Sequence, residues 1–266
     1  MARRMRLDTE LVRRGLARSR EQAADLIAAG RVAVAGHAAE KAATQVGQDA
    51  AITVEDAGRG ADYASRGGRK LEGALAAFPD LVVAGRRCLD AGASTGGFTD
   101  VLLRAGAAHV VAVDVGYGQL AWALRSDPRV TVLDRVNVRQ LTPEQVAPAP
   151  GLVTADLSFI SLLLVLPALA ECAAPDADFV LLVKPQFEVG KGRVGAGGVV
   201  RDPALRAAAV ADVAAAALEI GLGVRGIVAS PLPGPSGNVE YFLWLRRTAP
   251  PLDQAALEQA ITEGPQ

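Results

Sequence analysis

Cysteine is nearly absent from this chain: there are two in 266 residues, Cys88 and Cys172, with no CxxC and no Cys/His cluster. That argues against a disulfide framework or a zinc site and makes a reducing cytoplasm the expected compartment. A secretory leader is also missing, because MARRMRLDTE is basic but lacks an apolar core. The most apolar stretch, residues 159–174, carries Pro167 and Glu171. It falls short of the roughly 20 apolar residues a membrane span needs and reads as a strand end followed by a buried helix. Lysine is scarce too: four, at 41, 70, 184 and 191, against 24 arginines. Where a plain positive charge suffices, the chain uses arginine, which always stays charged. A surviving lysine marks a place where a side chain able to lose its proton is wanted.

What is present is ordinary in bulk and uneven in distribution. Half the residues are apolar and 21% are charged, as in a soluble globular protein. A chain of this length buries roughly 70–75% of its unfolded surface, so its core needs no staples. The net charge is −1, yet residues 1–31 hold eight arginines against four acids. A basic end on an acidic body suggests a surface that faces nucleic acid. The blander reading, a solvated charged helix face, stays open on charge alone.

The first sixty residues read as a helix–helix–strand module. LDTELVRRG stops on Gly15. SREQAADLIAAG opens on Ser19, has Gln22 three residues later as a capping box, and stops on Gly30. RVAVAG alternates and turns at Gly36, and residues 51–56 form another short strand. The Gly- and Arg-rich stretch DAGRGADYASRGGRK has no periodicity and marks a boundary. The expected division is a module over 1–60, a linker over 61–65, a second domain over 66–250 and a tail over 251–266.

Beyond the boundary, apolar strands alternate with Ala/Leu-rich helices. The expected strands are 86–90, 109–115, 130–134, 151–156, 178–184, 224–230 and 240–246. This pattern predicts a parallel α/β sheet covered on both faces. Only PLPGPSGN separates the last two strands, which suits an antiparallel pair at the edge.

The first strand of that sheet runs into LDAGASTGGF. Glycines at a strand's carboxyl end let the backbone approach a ligand, which is where open α/β folds bind cofactors. Asp114 closes the next strand, placed to accept hydrogen bonds from ribose hydroxyls. A phosphate loop would need GK[ST], and a dinucleotide site would want GxGxxG; neither is here. Asp90 would repel a pyrophosphate but suits the cationic, amino-acid end of S-adenosylmethionine. The expected cofactor contacts are Asp90, Gly92, Ala93, Ser94, Gly96, Gly97, Phe98, Asp114 and Asp156.

Four charged residues converge on the same edge. Asp156 and Lys184 end strands, Glu240 begins the last one, and Lys70 opens the helix before the first. A hydroxyl is a poor nucleophile until its proton is removed, and a lysine of lowered pKa can act as that base. Lys184 is the expected base, held by Asp156, with Lys70 and Glu240 tuning it and no metal required. The competing reading is that strand-end charges simply pair in solvent.

These motifs together resemble the TlyA family of bacterial ribosomal-RNA 2′-O-methyltransferases, some of which carry a hemolysin label. The resemblance runs through LVRRGLARSREQAADLI, SRGGRKLEGAL, CLDAGASTGGFTDVLL, VVAVDVGYGQLAW, ADLSFISL, LVKPQFEVGKG and SPLPGPSGNVEYFLWL. It implies a Rossmann-like class I methyltransferase sheet with an antiparallel last strand, behind a small N-terminal α+β RNA-binding domain. The family's catalytic tetrad falls on Lys70, Asp156, Lys184 and Glu240. The resemblance further implies S-adenosyl-L-methionine as cofactor, cytidine methylation in 16S and 23S rRNA, ribosomal subunits as partners and a link to capreomycin-type susceptibility. YASRGG lacks the tryptophan expected of mycobacterial relatives. RNA contacts are expected from Arg3, Arg4, Arg6, Arg18, Arg20 and Arg31, with affinity that falls as salt rises. Phe187 and Tyr117 are expected to be buried rather than to stack on a base. A monomer without membrane contact is expected. A membrane-acting hemolysin and a non-enzymatic assembly factor are the alternatives.

Overall fold

The computed structural model describes residues 5–14, 16–17, 19–28, 30–47, 50–54, 63–234 and 236–264. The chain forms two compact units, residues 1–62 and 63–266.

In the first unit, β1 (Met5–Arg6) leads into α1 (Leu7–Arg13) and α2 (Arg20–Ala28). Ser19 caps α2 by accepting the Gln22 N–H at 3.1 Å. Then come β2 (Val32–Val34), β3 (His37–Ala38), β4 (Gln45–Val46) and β5 (Ile52–Val54). β2 sits between β3 and β5, while β1 pairs with β4 in a separate ribbon. Leu7, Leu11, Ala23, Ile27, Val32 and Val46 close a small core.

The second unit opens with α3 (Gly67–Ala77), β6 (Arg87–Ala91), α4 (Gly97–Arg104), β7 (His109–Asp114), α5 (Trp122–Arg125) and β8 (Val130–Asp134). It continues through α6 (Pro143–Val146), β9 (Leu152–Ala155), α7 (Leu166–Cys172), β10 (Asp178–Val183), α8 (Pro185–Glu188) and α9 (Pro203–Glu219). It ends with β11 (Leu222–Ala229), β12 (Tyr241–Arg247) and α10 (Gln254–Glu263). The seven strands lie in the order β11-β12-β10-β9-β6-β7-β8. β12 is antiparallel to both neighbours, β10 and β11. The parallel strands are mostly apolar because helices cover both faces, with Asp90 in β6 and Thr154 in β9 as buried polar exceptions. Along β10, Phe179, Leu181 and Val183 enter one core, and Val180 and Leu182 enter the other. β12 does the same, with Tyr241, Leu243 and Leu245 opposite Phe242 and Trp244. Each such side chain contributes about 1.5–3 kcal/mol on burial, so a one-residue slip in register is strongly penalised.

The register delivers the functional edge. Val183 pairs with Tyr241 in the antiparallel ladder. The next position outward therefore sets Lys184 against Glu240. β6, β7, β9 and β10 all point their carboxyl ends to this same edge.

Candidate active site

The turn after β6 is shaped by what its residues lack. Gly92 has φ +87°, and a Cβ there would stand 2.6 Å from the carbonyl oxygen of Asp156. Only glycine combines that backbone with so close an approach. Ser94, at φ +47°, also turns left-handed. Its N–H donates to Asp114 Oδ2 at 2.8 Å, and the Gly116 N–H donates to Oδ1 at 2.7 Å. Asp114 thus ends β7 with both oxygens aimed at backbone amides of the loops around it. Gly96 caps α4 and Gly97 starts it. Ala93 and Phe98 bury their side chains in the core, leaving backbone atoms for any ligand.

Asp90 departs from the sequence expectation. It lies wholly inside the sheet, where Thr99 Oγ1 donates to its Oδ2 at 2.6 Å. Its carboxyl group is therefore turned into the protein rather than displayed on the turn. Burial pushes it up to about 7, against the hydrogen bond from Thr99, which favours the charged form.

The four charged residues sort into two ion pairs. Lys70, in the first turn of α3, lies 2.5 Å from Glu240 Oε2. Glu240 is 1% exposed, and its Oε1 has no hydrogen-bond partner among the described residues. Lys184 Nζ lies 2.6 Å from Asp156 Oδ1 and donates to Ser158 Oγ at 2.9 Å. The pairs are neighbours, since a Cβ on Gly67 in α3 would stand 3.8 Å from Asp156 Oδ2. Buried pairs of this kind demand good geometry, because desolvation offsets most of their attraction.

Beyond Ser158 the chain turns at Phe159 (φ +64°), whose ring is 92% exposed and lies 5.3 Å from the Phe187 ring. Glu188 ties this loop to α8: it accepts from Ser161 Oγ at 2.5 Å and from the Leu162 N–H at 2.9 Å. Tyr117 corrects the expectation of burial. It is 69% exposed, with the Arg135 guanidinium 4.3 Å from its ring centre. Ser158, Glu188 and Phe159 had no sequence signal of their own; each sits in a stretch picked out for its neighbours.

In the N-terminal unit, Arg6 and Arg20 both converge on buried Asp8, at 2.8 and 3.0 Å. Their heads are positioned by that carboxylate rather than loose in solvent. Arg31 is exposed. Arg3, Arg4 and Arg18 lie outside the described residues.

Residues 63–247 match the FtsJ-like methyltransferase family, and residues 5–52 match the S4 domain. A Mycobacterium tuberculosis protein named 16S/23S rRNA (cytidine-2′-O)-methyltransferase TlyA is 64% identical over 270 residues, covering all of both chains. The chain belongs to the TlyA family. A relative from Bacillus subtilis, YqxC, is 44% identical over 241 residues, 90% of this chain and 85% of its own. The solved structure of a hemolysin-titled protein from Streptococcus thermophilus superposes with a TM-score of 0.77 at 37% identity, covering 99% of this chain and 96% of that one. This TlyA-family chain is thus a methyltransferase of the FtsJ-like class carrying an S4 domain. Among its described residues no helix is long and apolar enough to cross a membrane.

Proposed function

We propose that this enzyme transfers the methyl group of S-adenosylmethionine to the 2′-hydroxyl of cytidine ribose in 16S and 23S ribosomal RNA. The observation that carries the reading is the Lys184–Asp156 ion pair, set one residue outside the sheet beside the glycine turn. The turn suits the cofactor because Gly92 lets its backbone pack against the Asp156 carbonyl, which brings the turn beside the Asp156–Lys184 pair, and Asp114 stands where ribose hydroxyls need an acceptor. When bound, S-adenosylmethionine supplies the electrophilic methyl group.

Lys184 takes the proton from the 2′-hydroxyl, and Asp156 holds its amine and balances the charge that results. Lys70 and Glu240 form the wall behind them and fix the start of β12. Most of the acceleration comes from alignment and preset electrostatics. The N-terminal module grips folded rRNA through Arg6, Arg20 and Arg31, with Arg3, Arg4 and Arg18 completing the basic set. Recognition by shape is expected, because the A-form major groove is hard to read. Ribosomes lacking the modification would differ in their response to capreomycin-type drugs.

The test is a map of ribose methylation in rRNA from cells with and without this protein, paired with tritium transfer from labelled cofactor to purified subunits. Loss of cytidine 2′-O-methylation in the deleted strain supports the reading. Unchanged maps and no tritium transfer would overturn it in favour of a binding role. In the same assay Lys184→Arg should be inactive while still binding S-adenosylmethionine; near-normal turnover would remove Lys184 as base.

A further inference from the structure

Lys184 has a second partner besides Asp156. β9 and β10 run parallel with Ala155 opposite Leu181. Carried three residues beyond the ladder, that register sets Ser158 opposite Lys184, and the Ser158 hydroxyl accepts from Nζ at 2.9 Å. Ser158 itself is exposed, whereas Lys184 is 7% exposed, so the bond ties a buried amine to a residue at the surface.

The loop holds this serine by force. Phe159, the next residue, adopts a left-handed backbone that costs a non-glycine residue about 1–3 kcal/mol. Glu188 anchors the far end of the turn through Ser161 and Leu162. Since Glu188 ends α8, which follows Lys184 directly, the serine and the lysine are braced by the same segment.

A neutral amine has two N–H groups and one lone pair. Ser158 accepts one N–H in hydrogen-bond geometry, while the Asp156 carboxylate, whose Oδ1 lies 2.6 Å from Nζ without a hydrogen bond between them, repels the lone pair from its own side. The lone pair is left at the remaining corner, where a substrate proton can be received. Without the hydroxyl, the amine rotates and presents an N–H to the substrate in part of its conformations. We propose that Ser158 is a positioning residue for methyl transfer, holding Lys184 so that its lone pair faces the ribose hydroxyl. This rests on Lys184 acting as base, as proposed above. The 2′-O–H proton passes to Nζ, the oxygen–methyl bond forms, and the sulfur–methyl bond breaks with its electron pair staying on sulfur.

The experiment uses the full chain, ribosomal subunits and labelled S-adenosylmethionine, with Ser158→Ala, Ser158→Thr, Lys184→Ala and the Ser158→Ala/Lys184→Ala double variant. Ser158→Ala should lower kcat about 10- to 100-fold, the scale of a misplaced catalytic group, with KM for subunits, cofactor affinity and melting temperature unchanged. Ser158→Thr should restore most of kcat, and the double variant should be no slower than Lys184→Ala alone. Normal kcat in Ser158→Ala with an inactive Lys184→Ala overturns the role of Ser158 alone. A raised KM or lowered melting temperature without a fall in kcat makes the serine a loop prop and also overturns it. An active Lys184→Ala overturns the base assignment, and the serine's role with it.

Discussion

Gly234 leaves open the space that the Glu240 carboxylate occupies: a Cβ at 234 would stand 2.6 Å from Glu240 Oε1. Glu240 is buried and its other oxygen is held by Lys70, so it has little room to yield. Gly234→Ala should therefore displace Glu240 and disturb the Lys70 pair. Overpacking of this kind costs about 1–3 kcal/mol, and a misplaced group in the site costs roughly 100-fold in rate. Cofactor titration and single-turnover methylation check it: binding should persist while the rate falls.

The Lys70–Glu240 pair predicts a difference between single and double variants. Removing one partner strands the other charge in the interior, at about 3–5 kcal/mol. Lys70→Met or Glu240→Leu alone should lower stability by this order, while the double variant should recover much of it. Urea unfolding measures both. If each single variant is as stable as the parent, the pair is not buried as described.

Acid should act oppositely on the two units. In the N-terminal unit, the Arg13 and Arg14 hydrogen bonds hold Glu10 down at about 2, and Arg6 and Arg20 hold Asp8 well below the usual carboxylate range. A depressed carboxylate stabilises the fold above its unfolded pKa, here about 4.5 for Glu10, and that contribution fades as pH falls through the folded value. Asp90 is the reverse. Raised from 3.8 to about 7, it costs the methyltransferase unit stability as pH climbs through that window. At about 1.4 kcal/mol per unit, the effect is a few kcal/mol.

Both tryptophans, Trp122 and Trp244, belong to the second unit, so fluorescence-detected unfolding isolates it. Its stability should fall between pH 4 and pH 7, and Asp90→Asn should flatten the curve. A parent curve already flat over that range would contradict the burial of an ionisable Asp90.

Glu188 can be tested as a brace. Burial raises its carboxyl group above the ordinary value, and the hydrogen bonds from Ser161 and the Leu162 N–H work against that rise. Glu188→Ala leaves the Leu162 N–H and the Ser161 hydroxyl without their acceptor, at about 1–3 kcal/mol. Amide exchange at Leu162 should quicken and methylation should slow, while exchange in β6 and β7 stays as it was. Unchanged exchange at Leu162 would show that the loop stands without Glu188.

The sheet was legible because strands buried on both faces leave unbroken apolar runs; Val130–Asp134 matches its expected bounds, and the neighbours shift by only a residue or two. The two-residue strands Met5–Arg6 and Gln45–Val46 were not, since two residues carry no period. Strand-end charges stood out because carboxyl ends gather on one edge and lysine is scarce. The burial of Asp90 was not legible because its hydroxyl partner, Thr99, comes from the following helix and is invisible to strand alternation. Tyr117 was expected inside on composition, yet a loop at the sheet's edge offers it a cation instead of a core. Ser158 escaped notice because serine is common, and only the register reveals what it faces.

The place of β12 sets an order of assembly. It is made after β10 and β11 but lies between them, and β11 has no other partner in the sheet. During synthesis from the N-terminus, β10 must therefore wait with one edge open while some sixty further residues are made. That edge reads DFVLLV, all of it apolar after the first residue. Open apolar edges recruit other chains. A chain halted before Glu240 thus does more than lose that carboxylate: it displays a sticky strand, and such fragments should aggregate rather than persist as inactive monomers.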